Sequence, residues 1–140
     1  MTKRVRNLLH AVTRWAENNP DLLGVALVGS YARGKAKIDS DVDLVFLALN
    51  PEDLITKPEW IKEFGDVESL RFEDWGILTS LRVFYQGGFE VEYGITTSEW
   101  AREPLAEGTR QVIANGMKIL LDRYGLLDGA IKAVTSYGSN

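Results

Sequence analysis

Apolar side chains recur at Val5, Leu8, Leu9, Val12 and Trp15 or Ala16, near the 3, 4, 7 spacing of one helical face. Residues 3–18 therefore predict an amphipathic helix, and Asn18-Asn19-Pro20-Asp21 supplies its stop. The pattern then changes. Leu22–Val28 is a continuous apolar run bounded by turn residues, which predicts a buried strand. Residues 29–40 are polar and contain glycine, so they predict a loop, with a helical turn starting at Ser30. Residues 41–49 alternate and then become wholly apolar, a second central strand. Residues 51–64 read as a helix that Gly65 ends.

The second half is richer in strands. Residues 67–72, 76–85 and 89–95 predict short strands, with Gln86-Gly87-Gly88 as a hairpin turn between the last two. Thr97 or Ser98 can cap a short helix over 97–102, and residues 109–115 predict another before Gly116. Residues 117–121 fit either a last strand or a continuation of that helix. Asp122-Arg123-Tyr124-Gly125 turns the chain into a helix over 126–136, and residues 136–140 are expected to fray. This order predicts an α/β (α+β) fold: a mixed central β-sheet with flanking helices. With 140 residues and no linker or repeat, one domain over 1–140 is expected.

Composition narrows the chemistry. There is no cysteine, which excludes disulfides and thiolate zinc sites, and His10 is the one histidine. A bound metal must then be held by oxygen, which points to a hard cation such as magnesium. The chain is 45% apolar and 26% charged, as soluble globular proteins are. No apolar run approaches the ~20 residues of a membrane span. No apolar leader follows Met1-Thr2-Lys3-Arg4, so a cytoplasmic protein with no membrane partner is expected. The net charge of −4, from 16 basic and 20 acidic residues, speaks against duplex nucleic acid as a partner. It leaves room for a nucleotide, because bound metal neutralises phosphate locally.

The acidic residues are placed in a telling way. Asp41 and Asp43 lie at i and i+2 of a predicted strand and project from one face. Among Val42, Leu44, Val45 and Phe46 two such carboxylates repel each other, and a bound cation compensates them. The plainer alternative is that Asp41 caps the strand start and Asp43 sits at an open edge. Glu90 and Glu92 repeat the i, i+2 pattern on the 89–95 strand. If the two strands are neighbours, at least one Glu reaches the same place. Three carboxylates from two strands can hold two divalent ions about 3.5–4 Å apart. Otherwise the pair decorates a half-exposed acidic hairpin.

Gly29 and Ser30 follow a buried strand and open a helical turn, where glycine lets backbone N–H groups approach a ligand and serine adds a hydroxyl. Arg33, Lys35 and Lys37 bring positive charge to the same loop, or are simply solvated. Residues 29–35 also fit seven positions of a P-loop, GxxxxGK. Ala36 replaces the required hydroxyl, and no long helix follows, so a P-loop is rejected.

Gly29-Ser30-Tyr31-Ala32-Arg33-Gly34, followed by Asp39-Ser40-Asp41-Val42-Asp43-Leu44, resembles the signature of the DNA polymerase beta-like nucleotidyltransferase superfamily. That signature is a hydrophobic residue, Gly-Ser, a spacer of about ten residues, then Asp-hydrophobic-Asp. Gly88-Phe89-Glu90-Val91-Glu92 looks like the corresponding segment of bacterial aminoglycoside adenylyltransferases of the streptomycin type, and Val91-Glu92-Tyr93 best fits the family's third acid, with Glu90 the fallback. Weaker likeness runs through Phe64-Gly65-Asp66 and Asp74-Trp75.

The resemblance implies a nucleotidyltransferase fold and a two-ion magnesium site held by Asp41, Asp43 and Glu92, which are also the catalytic residues. It implies ATP or another nucleoside triphosphate as substrate, with phosphates held by Gly29 and Ser30 and charge from Arg33 and Lys35. The acceptor is open: a small hydroxylated molecule such as an aminoglycoside, or a partner protein. Those antibiotic enzymes carry a C-terminal helical domain, and about 15 residues remain here after Gly125. A minimal domain is therefore expected, one that works with a helical protein partner as some antitoxins do, or as a homodimer through exposed aromatics such as Trp60 or Trp100. A non-catalytic nucleotide-binding scaffold is the remaining alternative, which clustered acids argue against. His10 is expected on a surface helix without a role, and Trp15, Trp60, Trp75 and Trp100 as core or interface anchors. Tyr31 lines the pocket or packs in the core, and Asp39 is a turn residue.

Overall fold

The computed structural model describes residues 1–138. Helix α1 (Lys3–Glu17) starts where Thr2 accepts the Val5 N–H, and it buries Val5, Leu8, Val12 and Ala16. The stripe is the predicted one. Strand β1 (Leu22–Val28) is buried along its whole length. The short helix α2 (Gly29–Arg33) leads to a loop and to β2 (Val42–Ala48).

The predicted helix over 51–64 is in fact two pieces, α3 (Pro51–Thr56) and a 3-10 helix (Pro58–Phe64). Pro58 is the cause. The residue before a proline is pushed out of the helical region, and Lys57 sits at φ −124°, ψ 71°. Strands β3 (Val67–Asp74) and β4 (Thr79–Tyr85) follow. The sequence pattern placed residues 76–78 in the second of these. Instead the Asp74 carboxylate accepts the Gly76 N–H at 2.8 Å, Gly76 adopts φ +86°, and the chain turns there.

Strand β5 (Phe89–Thr96) leads to a 3-10 helix (Ser98–Ala101) capped by Thr97. Helix α4 (Glu107–Asn115) begins two residues earlier than the sequence pattern suggested. Residues 117–121, open between strand and helix, resolve as β6 (Lys118–Asp122). Helix α5 (Leu126–Gly138) has its first turn capped by both Asp122 carboxylate oxygens. It continues through 136–138 where fraying was expected, and Ser139 and Asn140 lie outside the described residues.

The six strands form one mixed sheet in the order β3-β4-β5-β2-β1-β6. Only β2 and β5 run parallel; the other pairs are antiparallel. One face packs Leu44, Phe46, Leu81, Val83 and Tyr93 under α1, α3 and the first 3-10 helix. The other face packs Ala26, Val28, Val45 and Leu47 against Trp100, Ile113 and Leu127. This second cover lies over β6, β1 and β2 and ends on β5, where Leu78 packs over Gly94; further out, the same face carries Arg82, Glu90 and Glu73. Trp60 and Trp100, expected to be exposed, are not. Trp60 stacks on Trp15 with ring centroids 5.1 Å apart, and Trp100 is 5% exposed. The large exposed apolar side chains near the β3–β4 turn are Phe72, Trp75 and Ile77. No described helix is long and apolar enough to cross a membrane.

Arg123 ties the N-terminal helix to the sheet. Its guanidinium donates to the carbonyls of Leu22 at 2.7 Å, Ala16 at 2.9 Å and Glu17 at 3.0 Å. It thereby satisfies the open carbonyls at the end of α1. Hydrogen bonds from a charged donor contribute about 1.5–3 kcal/mol. Arg123→Ala is expected to lower unfolding free energy by about 2–3 kcal/mol in urea titrations. Arg123→Lys, which cannot span the same carbonyls, should recover less than half of that loss.

Candidate active site

The site is set by strand register. In the parallel β2–β5 pair, Asp43 stands directly across from Glu92. Alternation puts both on the face that also carries Val45, away from Leu44 and Tyr93. Asp41 lies just before β2, and one carboxylate oxygen from each of Asp41, Asp43 and Glu92 falls within 4.8 Å of the others. Glu90, the fallback, faces the same way but is one step further along β5. It pairs across from Phe84 and binds Arg82 at 2.8 Å. Glu92 is thus the third carboxylate of the cluster.

Gly29 closes the cluster from β1. Its φ is +73°, and a Cβ there would collide with the Asp43 carboxylate. Both facts demand glycine at this point. Ser30 opens α2 and is half-buried. Asp43 and Glu92 line a cleft of about 300 Å³ that includes Gly29, Arg33, Ser80 and, on its apolar wall, Leu78, Trp100 and Val112; Asp41 lies beside it. Lys35 is exposed and does not line this cleft; its backbone N–H bonds to the Ser30 carbonyl. Lys37 is exposed as well. Tyr31 is 7% exposed and packs in the core on the opposite face. Asp39 lies in a turn, and exposed His10 sits on α1, outside the cleft.

Sequence reasoning missed Ser80 and Arg82. Ser80 donates to Glu92 Oε1 at 2.8 Å, and Arg82 reaches Glu92, Glu90 and Glu73. Their signal was present: Ser80-Leu81-Arg82-Val83 alternates polar with apolar, as Glu90 to Tyr93 does.

Burial pushes the Asp43 carboxyl up to about 8 from an ordinary 3.8, with help from the negative charge of Asp41 and from contact with Glu92. Without a cation, three clustered acids cannot all ionise cheaply. The donors are hard carboxylate oxygens, and the cluster is short of positive charge. Both properties fit a magnesium-type ion.

The family described as "Nucleotidyltransferase domain" matches residues 10–83, and the chain belongs to it. The matched stretch contains Gly29, Ser30, Asp41 and Asp43, while Glu92 lies beyond it. A comparison with curated proteins finds no match. Among solved structures, an aminoglycoside 6-adenyltransferase from Bacillus subtilis aligns with TM-score 0.56 and 13% identity, over 84% of this chain and 40% of that one. Cid1 in complex with the UTP analogue UMPNPP gives 0.47 and 19%, over 81% and 33% of the two chains. A toxin–antitoxin with AMP-PNP gives 0.41 and 15%, over 97% and 85%. The likeness to the adenyltransferase is one of fold, and this chain spans less than half of that protein's length.

Two outcomes follow from the geometry. In the folded, metal-free state Asp43 keeps a proton that the unfolded chain releases above about pH 4, so its contribution to stability falls as pH rises from about 4 to 8. Asp43→Asn removes that slope. Thermal melts in EDTA from pH 5 to 8.5 should show the variant gaining on wild type as pH rises. Gly29→Ala is expected to cost at least about 1–2 kcal/mol from the left-handed backbone alone, measured by urea unfolding.

Proposed function

We propose that this domain is a metal-dependent nucleotidyltransferase. It moves a nucleoside monophosphate, AMP in the first instance, from a nucleoside triphosphate to a hydroxyl of a small-molecule or protein acceptor. The observation that carries this reading is Asp43 set opposite Glu92, with Asp41 beside them, at the end of a cleft that begins at Gly29. Family membership supports it. A scaffold has no use for three acids kept at this expense.

Asp41, Asp43 and Glu92 would hold the magnesium. When bound it supplies positive charge for the triphosphate and makes the acceptor hydroxyl more acidic. The chain's own groups do the rest. Ser30 and the backbone at Gly29 hold the β- and γ-phosphates. Arg33, at the cleft, adds a guanidinium, and Lys35 contributes charge from the adjoining loop. The apolar wall of Leu78, Trp100 and Val112 excludes water from one side. The acceptor oxygen attacks the α-phosphorus, the bond to the bridging oxygen breaks, and pyrophosphate leaves. Glu92, on β5, takes the acceptor's proton.

Calorimetry with ATP, GTP, CTP and UTP tests this directly. Binding of at least one is expected with magnesium and not with EDTA. The double variant Asp41→Ala/Asp43→Ala should weaken it at least about 100-fold, equivalent to about 2.8 kcal/mol. No binding of any of the four by the wild type would refute the proposal.

A further inference from the structure

Glu92 is held at both oxygens by strand β4. Ser80, 1% exposed, donates its hydroxyl to Oε1 at 2.8 Å. Its partner across on β5 is Gly94, two residues from Glu92. Arg82 pairs directly across from Glu92 and places a terminal nitrogen 3.4 Å from Oε2. Arg82 is itself anchored more tightly elsewhere: its Nε lies 2.8 Å from Glu73, and Nη1 lies 2.8 Å from Glu90. Glu73, Glu90 and Glu92 come from β3 and β5, so the guanidinium braces three neighbouring strands.

We propose that Ser80 and Arg82 are positioning residues for the third carboxylate, and that Glu73 and Glu90 act as struts for Arg82. The inference rests on the nucleotidyltransferase reading, because only there does Glu92 have an ion to hold. The unequal contacts define the division of labour. The short bond to Ser80 fixes which way the carboxylate faces. The longer one from Arg82 leaves Oε2 able to turn onto an arriving cation. Partners of this kind keep a ligand in its binding rotamer, and their removal typically costs 10- to 100-fold in metal affinity.

Charge and position make opposite predictions here. Removing Arg82 takes a positive charge away from the acids, which by Coulomb's law alone strengthens cation binding. Loss of positioning weakens it. Manganese titrations followed by electron paramagnetic resonance, on the full chain, read the sign. Ser80→Ala and Arg82→Gln are each expected to weaken Mn²⁺ binding about 10-fold or more. Ser80→Thr, which keeps the hydroxyl, should restore it. Glu90→Gln should weaken binding in the wild-type background and have no further effect in Arg82→Gln, since it acts through that side chain. Melting in EDTA monitors folding of each variant, and the Ser80 pair carries the test if Arg82→Gln does not fold. Unchanged or tighter Mn²⁺ binding in Ser80→Ala and Arg82→Gln, with binding lost in Asp43→Asn, would overturn the inference and leave the parent reading standing. A wild type that binds no Mn²⁺, with or without ATP, would overturn both.

Discussion

The parallel pairing of β2 with β5 is the constraint on which the site depends. These strands lie at the middle of the sheet, each between two others, and their register sets Asp43 against Glu92. A slip of one residue would turn either side chain to the opposite face, into the packing around Phe46 and Tyr93. The hydrophobic residues that alternate with the acids therefore fix the register. Val42 and Leu44 on one strand, Val91 and Tyr93 on the other, are all buried on the far side. The core holds the carboxylates together against their own repulsion.

That arrangement explains what could be read in the chain and what could not. The elements β1, β2 and α1 announce themselves through apolar runs and helical spacing, and they sit where the pattern put them. The Asp-Val-Asp segment is local, so its two acids were visible as a pair. The third acid was not decidable locally. Glu90 and Glu92 share a face and both touch Arg82, and the pairing with β2 distinguishes them: Asp43 stands across from Glu92. The missed break at Pro58 was a case of periodicity outweighing a stronger backbone rule. Of the aromatics, Trp60 and Trp100 prove to be core anchors and not the exposed pair a homodimer surface would need. Trp60 and Trp100 come from short 3-10 helices, where no helical period reveals a buried side, and both turn inward.

Arg82 shows how a neutralising charge can be shared. One guanidinium serves three glutamates on β3 and β5, while Asp41 and Asp43 receive no ion pair among the described residues. The β4 side of the site thus has one cation among its glutamates, and the β2 side has none. This imbalance lies in the protein before any ligand arrives, and it adds to the burial that raises the pKa of Asp43.

The second face of the sheet is covered by helices over β6, β1 and β2 and carries the charged Arg82, Glu90 and Glu73 toward β3, with the acids between the two regions. Asp43 and Glu92 hang from central strands, Asp41 precedes one of them, and β4 holds Glu92 through Ser80 and Arg82, so the sheet itself places the acids and nothing laid on its outer edge is needed for it. A body laid on that side can be large or small, rigid or soft, without disturbing them. Under the proposed reading, the domain is a socket whose working parts are anchored on one side and whose other side sets the range of shapes admitted. Chemistry and choice of acceptor can then vary separately, because the acids are set by strand register in the middle of the sheet while an acceptor meets its outer edge.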